Sequence, residues 1–140
     1  MGRCRGGVGL SPQVGRAVEN AMALVSELGG KELTFTGHSL GAILAAASSM
    51  VTGKKAITYN PAAISHASRL FHGLIDDSKI ENYISVGINF MGRSVAIDPI
   101  TYIQNELGIY APGMNHCIPV GIQWPWDYHS ISVICKSLKP

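Results

Sequence analysis

The sequence predicts an α/β fold, with one mostly parallel β-sheet flanked by helices in a single domain over residues 1–140. Short strand-like runs alternate with helical apolar patterns along the chain, which favours parallel strands joined by helices. The length of 140 residues suits one domain. Apolar residues make up 46% of the chain and charged residues only 14%, so the chain must bury a core and is not a disordered one.

The predicted elements follow one another as α-β-α-β-α-β-α-(β)-α. They are a helix over 12–28, a strand over 32–36, a helix over 40–51, a strand over 56–59, a helix over 64–71, a strand over 80–86, a helix over 99–107, a long loop over 110–126 with one short strand near 118–122, and a last helix from 127 or 130 to about 136.

Capping residues and apolar spacing define the helices. Ser11 precedes Pro12 at the start of the first helix, and Asp98 precedes Pro99 in the same way. Apolar residues of the first helix recur at steps of three and four, which predicts one buried face. The helix over 40–51 carries alanines on its remaining faces, so we expect it to be buried nearly all round.

Charge and cysteine content exclude several functions. The net charge of +2 without a basic face excludes a nucleic-acid-binding surface. Cys4, Cys117 and Cys135 are far apart and lack metal-ligand spacing with histidine, so we expect free thiols and no metal site, with a single disulfide as the alternative. No cofactor is expected. Gly53-Lys54-Lys55 lacks the other residues of a phosphate-binding loop, which disfavours nucleotide binding.

No membrane segment or leader is predicted. No apolar stretch follows Arg3 and Arg5, as it would in a secretory signal. The longest apolar stretch, over 40–51, has 12 residues and is too short for a membrane span. These observations predict a cytoplasmic protein without an integral membrane segment, or a secreted one if a further segment precedes this chain.

The segment Gly37-His38-Ser39-Leu40-Gly41 says most about function. It lies between a predicted strand and a buried helix, which is the context of a nucleophile elbow. There the serine takes a positive φ, and we expect side chains at both flanking glycines to clash with the neighbouring strand and helix, so that both positions stay small. Ser39 would stand at the carboxyl edge of the sheet, and the amide of Leu40 would be an oxyanion donor. The alternative is a glycine-rich turn with an incidental serine.

An elbow serine needs a histidine base that comes late in the chain. His129 is favoured because it lies at the start of the last helix, where a loop can carry its imidazole over the sheet edge. His116 is the alternative, placed in the preceding loop, where it could line the site. His66 and His72 belong to the helix after the second strand and are expected to face solvent.

The acid that would orient the histidine is best assigned to Asp98. It follows the third strand, which places it at the carboxyl edge, whereas Asp76 and Asp77 precede that strand and would lie at the opposite edge. Glu106 and Asp127 are the remaining candidates. The alternative role of Asp98 is that of a helix N-cap, which alone would explain an Asp-Pro pair.

Residues 33–42, LTFTGHSLGA, resemble the elbow of class 3 (fungal-type) lipases, a branch of the α/β-hydrolases. That elbow usually reads Thr-Gly-His-Ser-Leu-Gly-Gly, and Ala42 here takes the place of the last glycine. Tyr59-Asn60-Pro61 resembles the end of the family's next strand. Asp98-Pro99 and His129 resemble its acid and its late histidine, so the likeness extends from the first helix to the C-terminus.

The resemblance implies a serine esterase or lipase on a truncated or minimal α/β-hydrolase fold. It implies hydrolysis of triacylglycerols, phospholipids or simple esters through an acyl-enzyme on Ser39, without a cofactor. Asp98 would orient the base, His129 would be the base, and the amide of Leu40 would stabilise the oxyanion.

The chain departs from the family in two places. Several strands, a loop with a second oxyanion donor and a lid precede the elbow helix in the family, whereas residues 1–10 alone precede the first helix here. Residues 1–10 are then a flexible segment or a remnant of a longer chain, or residues 6–9 replace the loop in a lidless enzyme. Absent strands would expose a sheet edge, which favours a homo-oligomer. The segment 87–96 is also longer than the family's turn, which weakens the assignment of Asp98.

The substrate and the rival functions stay open at this point. Trp124 and Trp126 could rim an acyl pocket, adsorb to a lipid surface or pack on their own loop. Without an evident lid we expect short-chain soluble esters to be hydrolysed, with no activation at a lipid interface. The rivals are a non-catalytic hydrolase-like domain that binds lipid or a protein partner, and a thioesterase, acyltransferase or peptidase that uses the same elbow.

Overall fold

The structure, a computed structural model, describes residues 11–88, 91–92, 94–121 and 123–139. Within them the elements are α1 (Pro12–Leu28), β1 (Thr34–His38), α2 (Leu40–Thr52), β2 (Lys55–Tyr59), α3 (His66–Phe71), β3 (Ile80–Ile88), β4 (Ser94–Ile97), α4 (Pro99–Glu106), β5 (Met114–Val120), a 3-10 helix (Pro125–His129) and α5 (Ile131–Ser137). The α/β fold class is confirmed.

The sheet is mostly parallel, as predicted. Strands β1, β2, β3 and β5 are parallel and adjacent in that order, and β4 runs antiparallel to the end of β3. The register pairs His38 of β1 with Tyr59 of β2, and Tyr59 with Tyr83 of β3. Because of this register, the residues that follow β1 and β2 meet the second half of β3 at one carboxyl edge.

Both faces of the sheet carry helices. On one face, Ala46 of α2 packs with Ala56 and Ile80, and α1 packs on α2 through a cluster that includes Val14 and Ala47. On the other face, near the carboxyl edge, α5 and the 3-10 helix pack on β5 in a cluster formed by Ile118, Val120, Tyr128 and Ile134. The two clusters on α2 explain why so many of its alanines are buried, as the sequence predicts.

Strand β1 lies two residues further along the chain than predicted. The alternation of apolar and polar residues indicates a strand over 32–36, whereas the structure has Thr34–His38. The difference arises because β1 takes its register from Lys55–Tyr59 of β2, and this pairing continues through Gly37. Glycine lowers the strand propensity of a segment, so local preference alone ends the strand too early.

The short strand predicted near 118–122, within a long loop over 110–126, is present but starts earlier and is longer than predicted. Residues 114–120 form β5, which pairs with β3 over seven positions. Pro119 lies within β5, although proline cannot donate a hydrogen bond within a sheet. Among the described residues β5 pairs with β3 alone, and such an edge position tolerates proline.

The unassigned stretch after the third strand contains the short strand β4. Its residue Ile97 pairs with Val86, and Ala96 pairs with Gly87. The chain therefore leaves the sheet at the end of β3 and returns antiparallel to it. The return sets Asp98 beside Ser85, whose carbonyl oxygen accepts a hydrogen bond from the Asp98 amide at 3.2 Å.

The edge of β1 opposite β2 is unpaired within the described part of the chain. The homo-oligomer expected from such an edge stays a prediction. Cys117 and Cys135 are free and exposed, and Cys4 lies outside the described residues, as do residues 6–9 and the rest of 1–10. No helix in the described ranges is long and apolar enough to cross a membrane.

The two elbow glycines are not equivalent. A Cβ added to Gly37 would overlap the Gly41 carbonyl oxygen and lie 2.7 Å from the amide nitrogen of Ala42. A Cβ added to Gly41 would have nothing within 4 Å, so the expected clash is wrong for Gly41. The crowding is one-sided because α2 begins directly over β1 at Gly37, whereas Gly41 faces open space.

We expect Gly37→Ala to destabilise the protein by about 3 kcal/mol or more, because the added methyl group meets main-chain atoms that cannot move independently. Gly41→Ala is the matched control and should keep stability within about 1 kcal/mol of the wild type. Chemical denaturation of the two variants measures both values. Equal losses of stability would contradict this account of the turn.

Candidate active site

Ser39 alone forms the turn between the last residue of β1 and the first residue of α2. Ser39 has φ +55°, a region that residues other than glycine rarely occupy. Its amide donates to the Tyr59 carbonyl oxygen at 3.1 Å, and its carbonyl oxygen accepts from the amides of Ala42 at 3.1 Å and Ala62 at 3.2 Å. These bonds to the neighbouring elements hold the strained residue in place.

Ser39, His129 and Asp98 form one continuous series of hydrogen bonds. The hydroxyl of Ser39 is 2.7 Å from Nε2 of His129, and Nδ1 of His129 is 2.6 Å from Oδ1 of Asp98. A carboxylate only accepts, so we assign the imidazole proton to Nδ1, which leaves the Nε2 lone pair for the serine hydroxyl. The Asp98 side chain is fully buried and that of His129 is 20% exposed, so the imidazole lies between solvent and the sheet.

Asp98 caps α4 as well as contacting His129. Its Oδ2 atom accepts from the Thr101 amide at 2.8 Å and from the Thr101 hydroxyl at 2.9 Å, while Oδ1 faces His129. The two roles weighed as alternatives for Asp98 are therefore compatible in geometry. The longer segment 87–96 does not displace the acid, because β4 brings the chain back to the sheet edge.

His116 lies in a strand and not in a loop, and its contacts are with residues of β3 and not with Ser39. It belongs to β5, its ring stacks on Tyr83 at 5.0 Å, and its Nε2 is 4.0 Å from a carboxylate oxygen of Glu81. A hydrogen bond from Lys55 lowers the pKa of that Glu81 carboxyl. His116 is thus part of a polar and aromatic row on one face of the sheet, formed by strand pairing that the sequence did not predict.

The other acidic candidates have partners of their own or lie apart from the site. Asp77 forms an ion pair with Arg69 at 2.8 Å, and Asp76 accepts from the Ser78 hydroxyl at 2.6 Å. Both precede β3, as predicted, at the edge of the sheet opposite Ser39. Glu106 is the last residue of α4, and Asp127 is exposed within the 3-10 helix.

Three polar residues near Ser39 were not singled out as site residues from the sequence. His38, Asn60 and Ser85 each donate a side-chain hydrogen bond to the main chain at Tyr128 or His129. Two signals pointed to them: His38 belongs to the elbow motif itself, and Asn60 stands between a strand and a proline. Ser85 carries no local signal, because its role depends on which segment crosses β3.

The first residue of α2 supplies a main-chain amide next to Ser39. The amides in the first turn of a helix have no acceptor within the helix, so that of Leu40 is available to a developing negative charge. Residues 6–9, expected to supply a second donor, lie outside the described residues. In the described ranges no group of three histidine, cysteine or acidic residues could hold a metal ion.

The fold and the site define a small α/β protein with a serine at a strand-to-helix turn. A family model described as phospholipase-like, a Tle-like phospholipase domain, matches residues 7–123. The chain belongs to this phospholipase-like family. The match supports a relationship to lipases and phospholipases in general. It does not identify the class 3 branch of the lipases in particular. No curated protein compared with the chain matches it.

The two roles of Asp98 can be separated by measuring stability. Asp98→Ala removes the cap of α4 and leaves His129 without its partner, so we expect a loss of about 2 kcal/mol or more in the free energy of unfolding. Asp98→Asn keeps a good capping side chain and should lose about 1 kcal/mol or less. Denaturant titrations of both variants test this. A loss as large in Asp98→Asn as in Asp98→Ala would show that the cap contributes little.

Proposed function

We propose that the protein is a serine hydrolase of carboxylic esters and that its substrates are acyl esters of phospholipids or simpler lipids. The single observation that carries this proposal is the hydrogen-bonded series Ser39–His129–Asp98, assembled from three separate parts of the chain. Membership of a phospholipase-like family supports a lipid ester as the substrate. The elbow sequence, which resembles that of class 3 lipases, supports a carboxylic ester as the bond cleaved.

In the proposed reaction Ser39 Oγ attacks the carbonyl carbon of the ester while Nε2 of His129 takes the hydroxyl proton. The tetrahedral intermediate then collapses, the bond to the alcohol oxygen breaks, and the alcohol leaves with the proton held by His129. Water next attacks the acyl-enzyme, with its proton passing to His129 and then to Ser39. The acid is released and the serine is restored. Asp98 holds Nδ1–H and stabilises the imidazolium that forms twice per cycle.

The amide of Leu40 is the proposed donor to the carbonyl oxygen as it becomes an oxyanion. It follows the nucleophile directly and begins α2, so the helix N-terminus adds a favourable field. One such donor contributes roughly 10²–10³ in rate. This donor is a main-chain group, so substitution of the Leu40 side chain should leave it in place.

Exposed apolar side chains near the site support a substrate with an acyl chain. Trp124 and Trp126 are 81% and 68% exposed at the start of the 3-10 helix that ends in His129. The Leu40 side chain is also largely exposed beside Ser39. We propose that these exposed groups contact the acyl chain of a bound ester, and that short-chain soluble esters are also accepted.

We expect Ser39→Ala to lower the hydrolysis of p-nitrophenyl esters roughly 10⁴-fold or more, because no other group can form the acyl-enzyme. The assay uses purified wild type and variant with acyl chains of graded length, and phosphatidylcholine vesicles as a second substrate. Ser26→Ala is the matched control, since Ser26 is exposed on α1, and it should retain full activity. Equal rates of hydrolysis for wild type and Ser39→Ala would show that Ser39 is not the nucleophile and serves only in the turn.

The variant Asp98→Asn is expected to lose activity while it keeps its fold. An asparagine at this position no longer fixes the Nδ1–H tautomer of His129 or balances its charge, so kcat should fall about 10²–10⁴-fold. Steady-state kinetics on the best p-nitrophenyl ester, beside an unfolding curve of the same sample, separate the two effects. A folded Asp98→Asn protein with the kcat of the wild type would show that Asp98 caps α4 and has no role in the reaction.

A further inference from the structure

The main chain at His129 is held by three side chains, one at the end of β1, one directly after β2 and one within β3. Nε2 of His38, at the end of β1, is 2.6 Å from the carbonyl oxygen of His129. Nδ2 of Asn60, directly after β2, donates to the carbonyl oxygen of Tyr128 at 2.6 Å. The hydroxyl of Ser85, within β3, donates to the same Tyr128 oxygen. Two consecutive carbonyl groups of the segment that carries the imidazole are thus bound to the sheet edge.

We propose that His38, Asn60 and Ser85, here called the carbonyl clamp, are positioning residues that set the distance between the imidazole of His129 and the hydroxyl of Ser39. The inference rests on the proposed function, because positioning of the base matters only if Ser39 and His129 react. It assigns to the histidine of the elbow motif a task distinct from that of Ser39.

The donor and acceptor roles in the clamp are fixed by chemistry. A carbonyl oxygen only accepts, so the His38 proton must be on Nε2. The Ser85 amide donates to Oδ1 of Asn60 at 2.8 Å, which turns Nδ2 of Asn60 toward Tyr128. Nδ2 of Asn60 also lies 3.0 Å from the Ser85 hydroxyl. The Ser85 hydroxyl also lies 3.2 Å from Oδ1 of Asn60, so Asn60 and Ser85 are bonded to each other as well as to Tyr128.

The burial of the clamp makes these bonds costly to break. Asn60 and Ser85 are fully buried, so a donor that lost its carbonyl would remain unsatisfied. Asn60 has φ +40°, and its amide donates to the Tyr83 carbonyl oxygen at 2.8 Å. Asparagine tolerates this left-handed conformation better than most residues. The side chain is thereby aimed from the end of β2 across to the 3-10 helix.

The clamp acts on the part of His129 that the Ser39–His129–Asp98 series does not fix. The two ring nitrogens are held by Ser39 and Asp98, whereas the clamp holds the main chain from which the ring projects. The His38 ring also lies 4.9 Å from the His129 ring, centroid to centroid. A shift of about 1 Å in a catalytic group can lower the rate about 10²-fold, so the main-chain bonds bear directly on the rate.

Burial of Tyr128 is the competing explanation for the position of His129. The Tyr128 ring packs with Ile118, Val120 and Ile134, and its hydroxyl accepts from the Gln123 amide at 3.0 Å. If this packing alone held the segment, the three side-chain donors would be dispensable for catalysis. The experiment must therefore remove a donor and leave Tyr128 in place.

The test compares His38→Gln with His38→Leu in the full chain. Glutamine can place an amide nitrogen near the position of the imidazole Nε2, whereas leucine is of similar size and cannot donate. His38→Leu should lower kcat for p-nitrophenyl esters about 10–100-fold with KM nearly unchanged, and His38→Gln should return kcat to within about threefold of the wild type. His38 is only half-buried, so both variants are expected to fold. Equal kcat in the two variants, or a change confined to KM, would overturn the inference.

A second pair of variants and a spectroscopic measurement complete the test. Ser85→Ala removes a donor to Tyr128 and Asn60→Asp replaces one with an acceptor, and both should lower kcat in the same way. The low-field proton resonance of His129 Nδ1–H can be measured without substrate. It should persist in His38→Gln and broaden or disappear in His38→Leu.

Activity in Ser39→Ala would refute the proposed function. An inactive Ser39→Ala beside fully active clamp variants would refute the clamp alone.

Discussion

The close approach of α2 to β1 at Gly37 is the contact on which the rest of the structure depends. With no side chain at Gly37, the carbonyl of Gly41 can lie directly against the strand. This contact leaves one residue, Ser39, to reverse the chain, and that residue must take a positive φ. The same contact sets the first amide of α2 beside the serine hydroxyl and lays the alanines of α2 on the sheet. Fold and candidate site therefore share a single steric origin.

The parallel register turns one edge of the sheet into a platform for polar side chains. Because β1, β2 and β3 are aligned in direction, His38, Asn60 and Ser85 gather at one edge although they are far apart in sequence. The hairpin of β3 and β4 adds Asp98, and the 3-10 helix adds His129 from across the edge. Both Asp98 and the segment that carries His129 form hydrogen bonds with residues at this edge. The candidate site is therefore built from residues at or near the ends of the strands.

Asp98 shows how closely stability and the proposed chemistry are linked. One carboxylate oxygen satisfies the start of α4, and the other faces the imidazole. A fully buried carboxylate is tolerated because both of its oxygens are hydrogen-bonded. Such a group is rigid, and rigidity is what a base needs from the residue that orients it. The helix cap thus also fixes the geometry of the site.

The sequence by itself determined the features whose causes are local. Ser11-Pro12 and the apolar spacing after it begin and shape α1, Asp98-Pro99 begins α4, and the elbow motif between a strand and an alanine-rich helix leads to the turn at Ser39. The tertiary structure decided the shift of β1, the strand β4, the bounds of β5, the place of His116 and the hydrogen bonds to the main chain at His129. The physical reason is that capping and periodicity act within a few residues. Strand pairing and side-chain bonds to a distant carbonyl exist only once remote segments have met, which is why the first half of β5 and the role of Ser85 carry no local signal.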